Sequence, residues 1–423
     1  MSLKSRLSLM MFLQYAIWGA WLPILYPYLM GHRAFSLDQC GMILAAGAVG
    51  AIIGPFVAGQ VADRWLATEK FLAGCHLVGA VLVWQLAGVA DYSTFLWMSL
   101  LYGLIYTPTL ALTNSLALHH IPDRDKDFAP IRVWGTVGWI AAGIAVGQWL
   151  SIQHSPADLI GEAKVAAQNA GRGDAFKLSA ILGLVMGVYC FLLPHTPPAK
   201  GGKERNATFE ALGEIKRQPL LVLFLVTIPV SVVHQFYFVH TSTFLTYLQS
   251  GVEPGWFMKT IETIFGVGGG GLMTVGQMAE IGVIALVPFM TSVMSRKQML
   301  LVGLLAYALR MALFSYASAS MPAIVIGLAL HGFCFGCFAF VAFMVVDEHT
   351  TKDVRASAQN LFNLVFVGLG IIVGSWFSTS VVGKWATTDG VVDYTRLFSI
   401  PMWMSLACFA ILLVAYPKKA QVS

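Results

Sequence analysis

Long apolar runs recur along the chain, near 9–29, 40–62, 70–91, 94–118, 132–152, 175–194, 220–247, 272–291, 298–316, 322–346, 358–382 and 396–416. A bilayer core about 30 Å thick is crossed by about 20 helical residues, since each advances about 1.5 Å along the axis. Each run therefore predicts one transmembrane helix, twelve in all. Residues 1–25 begin with basic residues and continue apolar, as a secretion signal does. Their apolar stretch is too long for one and no small-residue cleavage site follows, so the segment reads as the first retained span.

Composition agrees with this pattern. The chain is 57% hydrophobic and 11% charged, where a soluble domain carries about 25% charged residues; its mean hydropathy is +0.72. Most soluble enzymes are thereby excluded. The net charge of +5 does not indicate a nucleic-acid partner, because the basic residues sit in short segments between apolar runs and not on one face. Eighteen of the 26 Lys and Arg residues fall on alternate connections that include both ends of the chain, which predicts cytoplasmic termini by the positive-inside rule. The six cysteines lie almost all within apolar runs and read as small hydrophobes. Cys334 and Cys337 share a helix face near His331, a pattern a metal could use, but packing is the favoured reading and no metal or cofactor is expected.

The longest charged connection, 194–219, follows the sixth run and contains the densest basic cluster. It divides the chain into an N-terminal six-helix bundle, 1–195, a cytoplasmic connection, 196–218, and a C-terminal six-helix bundle, 219–423. Pro55-Phe56-Val57 is echoed by Pro288-Phe289-Met290, and the pair Asp127 and Arg132 by Asp353 and Arg355. Such echoes suit the repeat-related halves of secondary transporters.

Between the second and third runs stands Gly59-Gln-Val-Ala-Asp63-Arg64. It resembles the loop motif of the major facilitator superfamily, in which Gly59, Asp63 and Arg64 would pin the cytoplasmic ends of helices; Arg296-Lys297 would be its weaker second-half equivalent. A closer resemblance is to the bacterial nucleoside:proton symporter family within that superfamily. It is carried by Phe12-Leu-Gln14 with Trp18-Gly19-Ala-Trp21, Ala62 to Leu66, Tyr106-Thr-Pro108-Thr109-Leu110 with Asn114, Pro130-Ile-Arg132-Val-Trp134-Gly135-Thr136, Leu193-Pro194-His195, Leu309-Arg310 and Arg355-Ala-Ser-Ala-Gln359. The resemblance implies an all-α fold of twelve transmembrane helices in two pseudo-symmetric bundles, with substrate held at mid-membrane between them and the halves rocking about it.

Ionised side chains in hydrocarbon cost about 2.5–3.5 kcal/mol each on insertion scales, so each needs a partner or a wet cavity. Arg132, Thr136 and Trp139 share one helix face by their spacing. In the family this face lines the cavity; the alternative is that Arg132 only marks a helix end at the lipid phosphates. Gln277 and Glu280 share a face, as do Gln235 and Phe238, and an amide suits the mixed donors and acceptors of a nucleobase or ribose. The resemblance makes Gln235, Gln277 and Glu280 substrate contacts, with Phe238 in place of a polar residue. His331 occupies the position of an aromatic hydroxyl and Gly336 that of an acid, while Phe335 is retained as a stacking surface.

With that acid gone, Glu280 is the first choice for proton coupling, because a low-dielectric cavity favours the neutral carboxyl and so aids proton uptake near neutral pH. His331 is second, its unperturbed pKa near 6.5 being suited to the task. Structural alternatives stand beside both: an ion pair of Glu280 with Arg310, and a hydrogen-bonded core role for His331. The expectation is a monomeric transporter in a bacterial cytoplasmic membrane, taking up nucleosides with protons and having no nucleic-acid partner. A transporter of the same fold for another polar or aromatic solute, possibly uncoupled, is the alternative. An enzyme is disfavoured because zinc-protease, nucleophile-elbow and paired-carboxylate signatures are missing, and a receptor because no sizeable soluble signalling domain is present. The run Gly266-Val-Gly-Gly-Gly-Gly271 lacks the Lys-Ser/Thr of a phosphate loop and reads as a flexible linker.

Overall fold

The computed structural model describes residues 2–64, 66–156, 158–159, 161–198, 212–250, 255–351 and 354–417, with the side chains of 55–64, 125 and 356 left aside. Each predicted run is a helix. In order these are α1 (Leu3–Gly31), α2 (Leu37–Arg64), α3 (Thr68–Leu86), α4 (Tyr92–His120) and α5 (Arg124–Gln153), followed by a short α6 (Gly161–Gly171) that leads into α7 (Gly173–Cys190). Then come α8 (Leu220–Gln249), a short α9 (Trp256–Phe265), α10 (Gly270–Val293), α11 (Arg296–Tyr316), α12 (Met321–Glu348), α13 (Ser357–Gly383) and α14 (Tyr394–Ala415). Among the described residues eleven helical segments are long and apolar enough to cross a membrane; α3, with Glu69 and Lys70 in its first turn, is the remaining long helix. Spans α12 and α13 contain wide π-helical stretches, Cys334–Phe340 in the former and Leu364–Leu369 and Phe377–Gly383 in the latter. Such stretches commonly accompany functional sites.

The chain forms two compact units, Met1–Gly202 with His240–Thr274, and Lys203–Val239 with Val275–Ser423. Most of the connection expected at 196–218 lies outside the described residues, and the segment 240–274 groups with the first unit. In that unit α1 pairs with α5, α2 with α4, and α3 with α7. Glycines permit the first two crossings: a Cβ at Gly50 would land on the Gly103 carbonyl, one at Gly138 on the Phe12 backbone, and one at Gly19 would stand 2.8 Å from Trp139 Cα. Close backbone approach through small residues is how membrane helices gain packing, since lipid supplies little hydrophobic drive between them. In the second unit α11 lies along α14 and against the π stretch of α12.

Polar residues inside the first unit are paired. Gln14 donates from Nε2 to Thr109 Oγ1 at 2.7 Å, its Oε1 lies 2.9 Å from His76 Nε2, and Tyr106 donates to its carbonyl. Three of the residues that carried the family resemblance are therefore one buried hydrogen-bond network. Helix ends are tied by polar contacts: Lys4 to Asp127 at 2.6 Å, and Glu69 to His195 at 2.8 Å and to the Thr196 amide at 3.0 Å. In the second unit Arg296 reaches Glu348 at 2.6 Å and Lys297 donates to the Tyr416 carbonyl at 2.6 Å. The second-half pair thus fastens α11 to the ends of α12 and α14. Residues Gly59, Asp63 and Arg64 lie on the last turns of α2 and not in a loop; their side chains are outside the described residues.

The glycine run is a packed turn, contrary to the linker expected. Gly266, Gly268 and Gly269 have φ of +70°, +80° and +82°, a region L side chains avoid. The Val267 amide donates to the Gly147 carbonyl at 3.1 Å, and Ser242 Oγ and the wholly buried Arg172 both donate to the Gly268 carbonyl. Packing against α5 and α8 explains the turn.

The outer faces of the spans are apolar, with Phe289, Ile152 and Val414 well exposed, as lipid-facing helices require. Eight tryptophans among the described residues are exposed: Trp84, Trp97, Trp134, Trp149, Trp256, Trp376, Trp385 and Trp403.

Candidate substrate and proton site

In the first unit the close α1–α5 crossing brings Tyr15 and Trp18 to the face that carries Arg132, Thr136 and Trp139. Gly135 leaves the space: a Cβ there would stand 2.6 Å from the Tyr15 ring and 2.7 Å from Arg132 Nη1. The Arg132 guanidinium lies over the Tyr15 ring at 4.0 Å, within cation–π range. Trp139, buried, meets Trp18 edge-to-face at 5.6 Å, and Thr136 is half-buried one turn above Arg132. Tyr15 and Trp18 were not singled out for the site from sequence; their spacing of three, matching that of Thr136 and Trp139, was the available signal.

In the second unit α8, α10, α11 and α12 bring a titratable cluster together. Glu280 Oε2 lies 3.7 Å from His331 Nε2, with the glutamate side chain 17% exposed and the histidine 2%. His331 Nδ1 is 3.0 Å from Arg310 Nη1. Tyr237 stacks on the His331 ring at 4.8 Å, His234 stacks on it at 5.6 Å, and His234 Nδ1 is 2.7 Å from the Tyr307 hydroxyl. Arg310 is fully buried, held over the rings of Tyr237 at 4.4 Å and Tyr307 at 5.0 Å. Phe238 packs against His234, Tyr237 and His331.

Gln235 donates from Nε2 to Ser375 Oγ at 3.0 Å. Gln277 is buried, and its Oε1 has no hydrogen-bond partner among the described residues. An orphaned buried acceptor is costly, and one beside Glu280 is open to a ligand N–H or O–H. Phe335 is half-buried one turn beyond His331. Gly336 is a packing position: a Cβ would stand 2.7 Å from Val283 Cγ1. Of the residues marked from sequence, Phe238, Glu280 and His331 converge in this cluster. His234 is part of it too, and Tyr237 and Tyr307 join them unforeseen. Arg310 meets His331, where an ion pair with Glu280 was the alternative weighed.

Twelve long helices among the described residues, with polar interiors, glycine-mediated crossings and a cluster of charged residues, define a polytopic helical membrane protein. The family model described as "Nucleoside H+ symporter" matches residues 1–421. The chain belongs to that family. It is 32% identical to YegT of Escherichia coli (strain K12) over 88% of this chain and 83% of that one. It is 30% identical to the xanthosine permease of the same organism, over 98% of this chain and 94% of that one. The crystal structure of nucleoside transporter NupG superposes with a TM-score of 0.83 at 24% identity, covering 99% of this chain and all of that one; this likeness speaks for the fold.

Proposed function

We propose that this protein imports nucleosides across a bacterial cytoplasmic membrane by proton symport, with both termini in the cytoplasm. Glu280 carries the proton, and the substrate contacts are Arg132, Thr136 and Trp139 of the first unit and Gln235, Phe238, Gln277, His331 and Phe335 of the second. Bases stack on Trp139 and Phe335, and the amides and charges meet base edges and ribose hydroxyls. The observation that carries the reading is the Glu280 carboxylate, partly exposed and 3.7 Å from His331, in a chain of the nucleoside–proton symporter family. A carboxylate at membrane depth is a functional position by default. Gly336 and Phe238 favour a second reading, a same-fold carrier of another polar or aromatic solute, because neither supplies a polar contact.

Uptake of radiolabelled uridine and adenosine into proteoliposomes, with and without an inward proton gradient, tests both. Gradient-driven accumulation competed by other nucleosides supports the first reading; no uptake by folded protein overturns it. Glu280→Gln keeps hydrogen-bonding capacity but no titratable proton, so it is expected to exchange nucleoside without accumulating it. Full pH-dependent accumulation by that variant would remove Glu280 as the carrier.

A further inference from the structure

Arg310 contacts Tyr237, Tyr307 and His331, and its hydrogen bonding goes to His331: among the described residues Nε and Nη2 have no hydrogen-bond partner, while Nη1 lies 3.0 Å from His331 Nδ1. A guanidinium holds only N–H donors and stays protonated in proteins. Nδ1 must therefore accept, and the neutral imidazole carries its hydrogen on Nε2, the atom 3.7 Å from Glu280 Oε2. The titratable and charged groups facing this ring are Arg310 from α11, Glu280 from α10, and His234 and Tyr237 from α8, while Tyr307 of α11 meets His234.

We propose that Arg310 is a positioning residue that fixes the tautomer of His331, leaving the hydrogen on Nε2, the nitrogen 3.7 Å from the Glu280 carboxylate, and closing its other nitrogen to protons. This rests on Glu280 as proton carrier. The arriving proton forms an O–H bond on Glu280 and leaves by breaking that same bond; His331 gains and loses none. Because a proton on Nδ1 would face the guanidinium N–H, His331 is denied the role of second acceptor. One carrier per cycle follows from this cluster.

The test is solid-state nitrogen NMR of protein in liposomes with 15N-labelled histidine, the His331 signals being those missing from His331→Gln. Wild-type His331 is expected to show a hydrogen on Nε2 only and to stay neutral between about pH 5 and 8, where a free imidazole titrates. Arg310→Met is expected to acquire that titration, and Arg310→Lys, which keeps a cationic donor, to retain the wild-type pattern. A titrating His331 in the wild type, a hydrogen on Nδ1, or an unchanged Arg310→Met spectrum would overturn the proposal. Should Arg310→Met fail to fold, the wild-type spectrum still overturns the proposal if His331 titrates or carries its hydrogen on Nδ1. Transport separates this from the reading beneath it: nucleoside exchange without gradient-driven accumulation in the wild type refutes proton coupling, whereas the tautomer is settled by the spectra alone.

Discussion

Gly332 and Gly336 are four apart on α12 and face Ala279 and Val283, four apart on α10. The substitution Gly336→Ala puts a methyl 2.7 Å from Val283 Cγ1 and 3.4 Å from Val283 Cβ. Carbon atoms rest at about 3.5–4.0 Å, so the overlap is close to 1 Å against one methyl. Val283 is buried, and a helical valine has one strongly preferred χ1, so the methyl does not simply turn aside. Overpacking of this kind costs about 1–3 kcal/mol. Val283→Ala removes the opposing atom, and a double-mutant cycle should recover about 0.5–3 kcal/mol as coupling. Gly332→Ala differs, because its methyl would meet the Ala279 carbonyl carbon at 2.5 Å, the carbonyl oxygen at 2.6 Å and the Glu280 amide nitrogen at 2.9 Å. Backbone offers nothing to trim, so Ala279→Gly should not rescue it. Thermal melting in detergent, with nucleoside uptake alongside, reads both series. A Gly336→Ala protein that melts like the wild type, or a Gly332→Ala protein rescued by Ala279→Gly, would refute the packing argument. The same geometry means that Gly336→Asp adds the clash to about 2.5–3.5 kcal/mol for an ionised group at a helix centre, so it should destabilise the protein and not confer a second carrier.

Two further outcomes follow from other parts of the structure. Gln14→Leu strips His76 and Thr109 of their shared partner and should destabilise the first unit by about 1–3 kcal/mol, the cost of an unsatisfied buried polar group; a melting temperature equal to wild type would count against that network. Glu262 on the short helix α9 has its pKa raised above 4.5 by burial, partly offset by Lys164. The folded state therefore binds this proton more tightly, and its contribution to stability is lost as pH rises through the raised pKa. Melting curves between about pH 4 and 7 should show that decline in the wild type and a shallower one in Glu262→Gln, since only the carboxyl titrates in this range; identical slopes would contradict it.

The spans were legible because hydrocarbon tolerates few charges, and every predicted run is a helix. Legibility fell where the deciding partner lay on another helix. Arg132, Thr136 and Trp139 were grouped by their spacing on α5, but Tyr15 and Trp18 reach that face only because Gly135, Gly138 and Gly19 let α1 approach. Glu280 and His331 were found by their rarity at membrane depth; their link to Arg310, and the aromatic surround of Tyr237 and Tyr307, are set by how four helices pack. The glycine run was misread because its positive-φ residues serve a turn whose need arises at Gly147 and Ser242, far off in sequence. Gln14, Tyr106 and Thr109 were visible as a resemblance, and the structure supplies its cause in a shared hydrogen-bond network.

The distribution of tryptophans governs how this protein can be watched. Eight indoles face outward, while Trp18 and Trp139 form the edge-to-face pair beside Arg132. Intrinsic emission is therefore dominated by rings that report lipid or detergent, and ligand quenching would act on a small fraction of the total signal. A variant with the outward indoles, Trp21 and Trp65 replaced by phenylalanine would leave the Trp18–Trp139 pair as a built-in optical reporter, with no dye attached near the site.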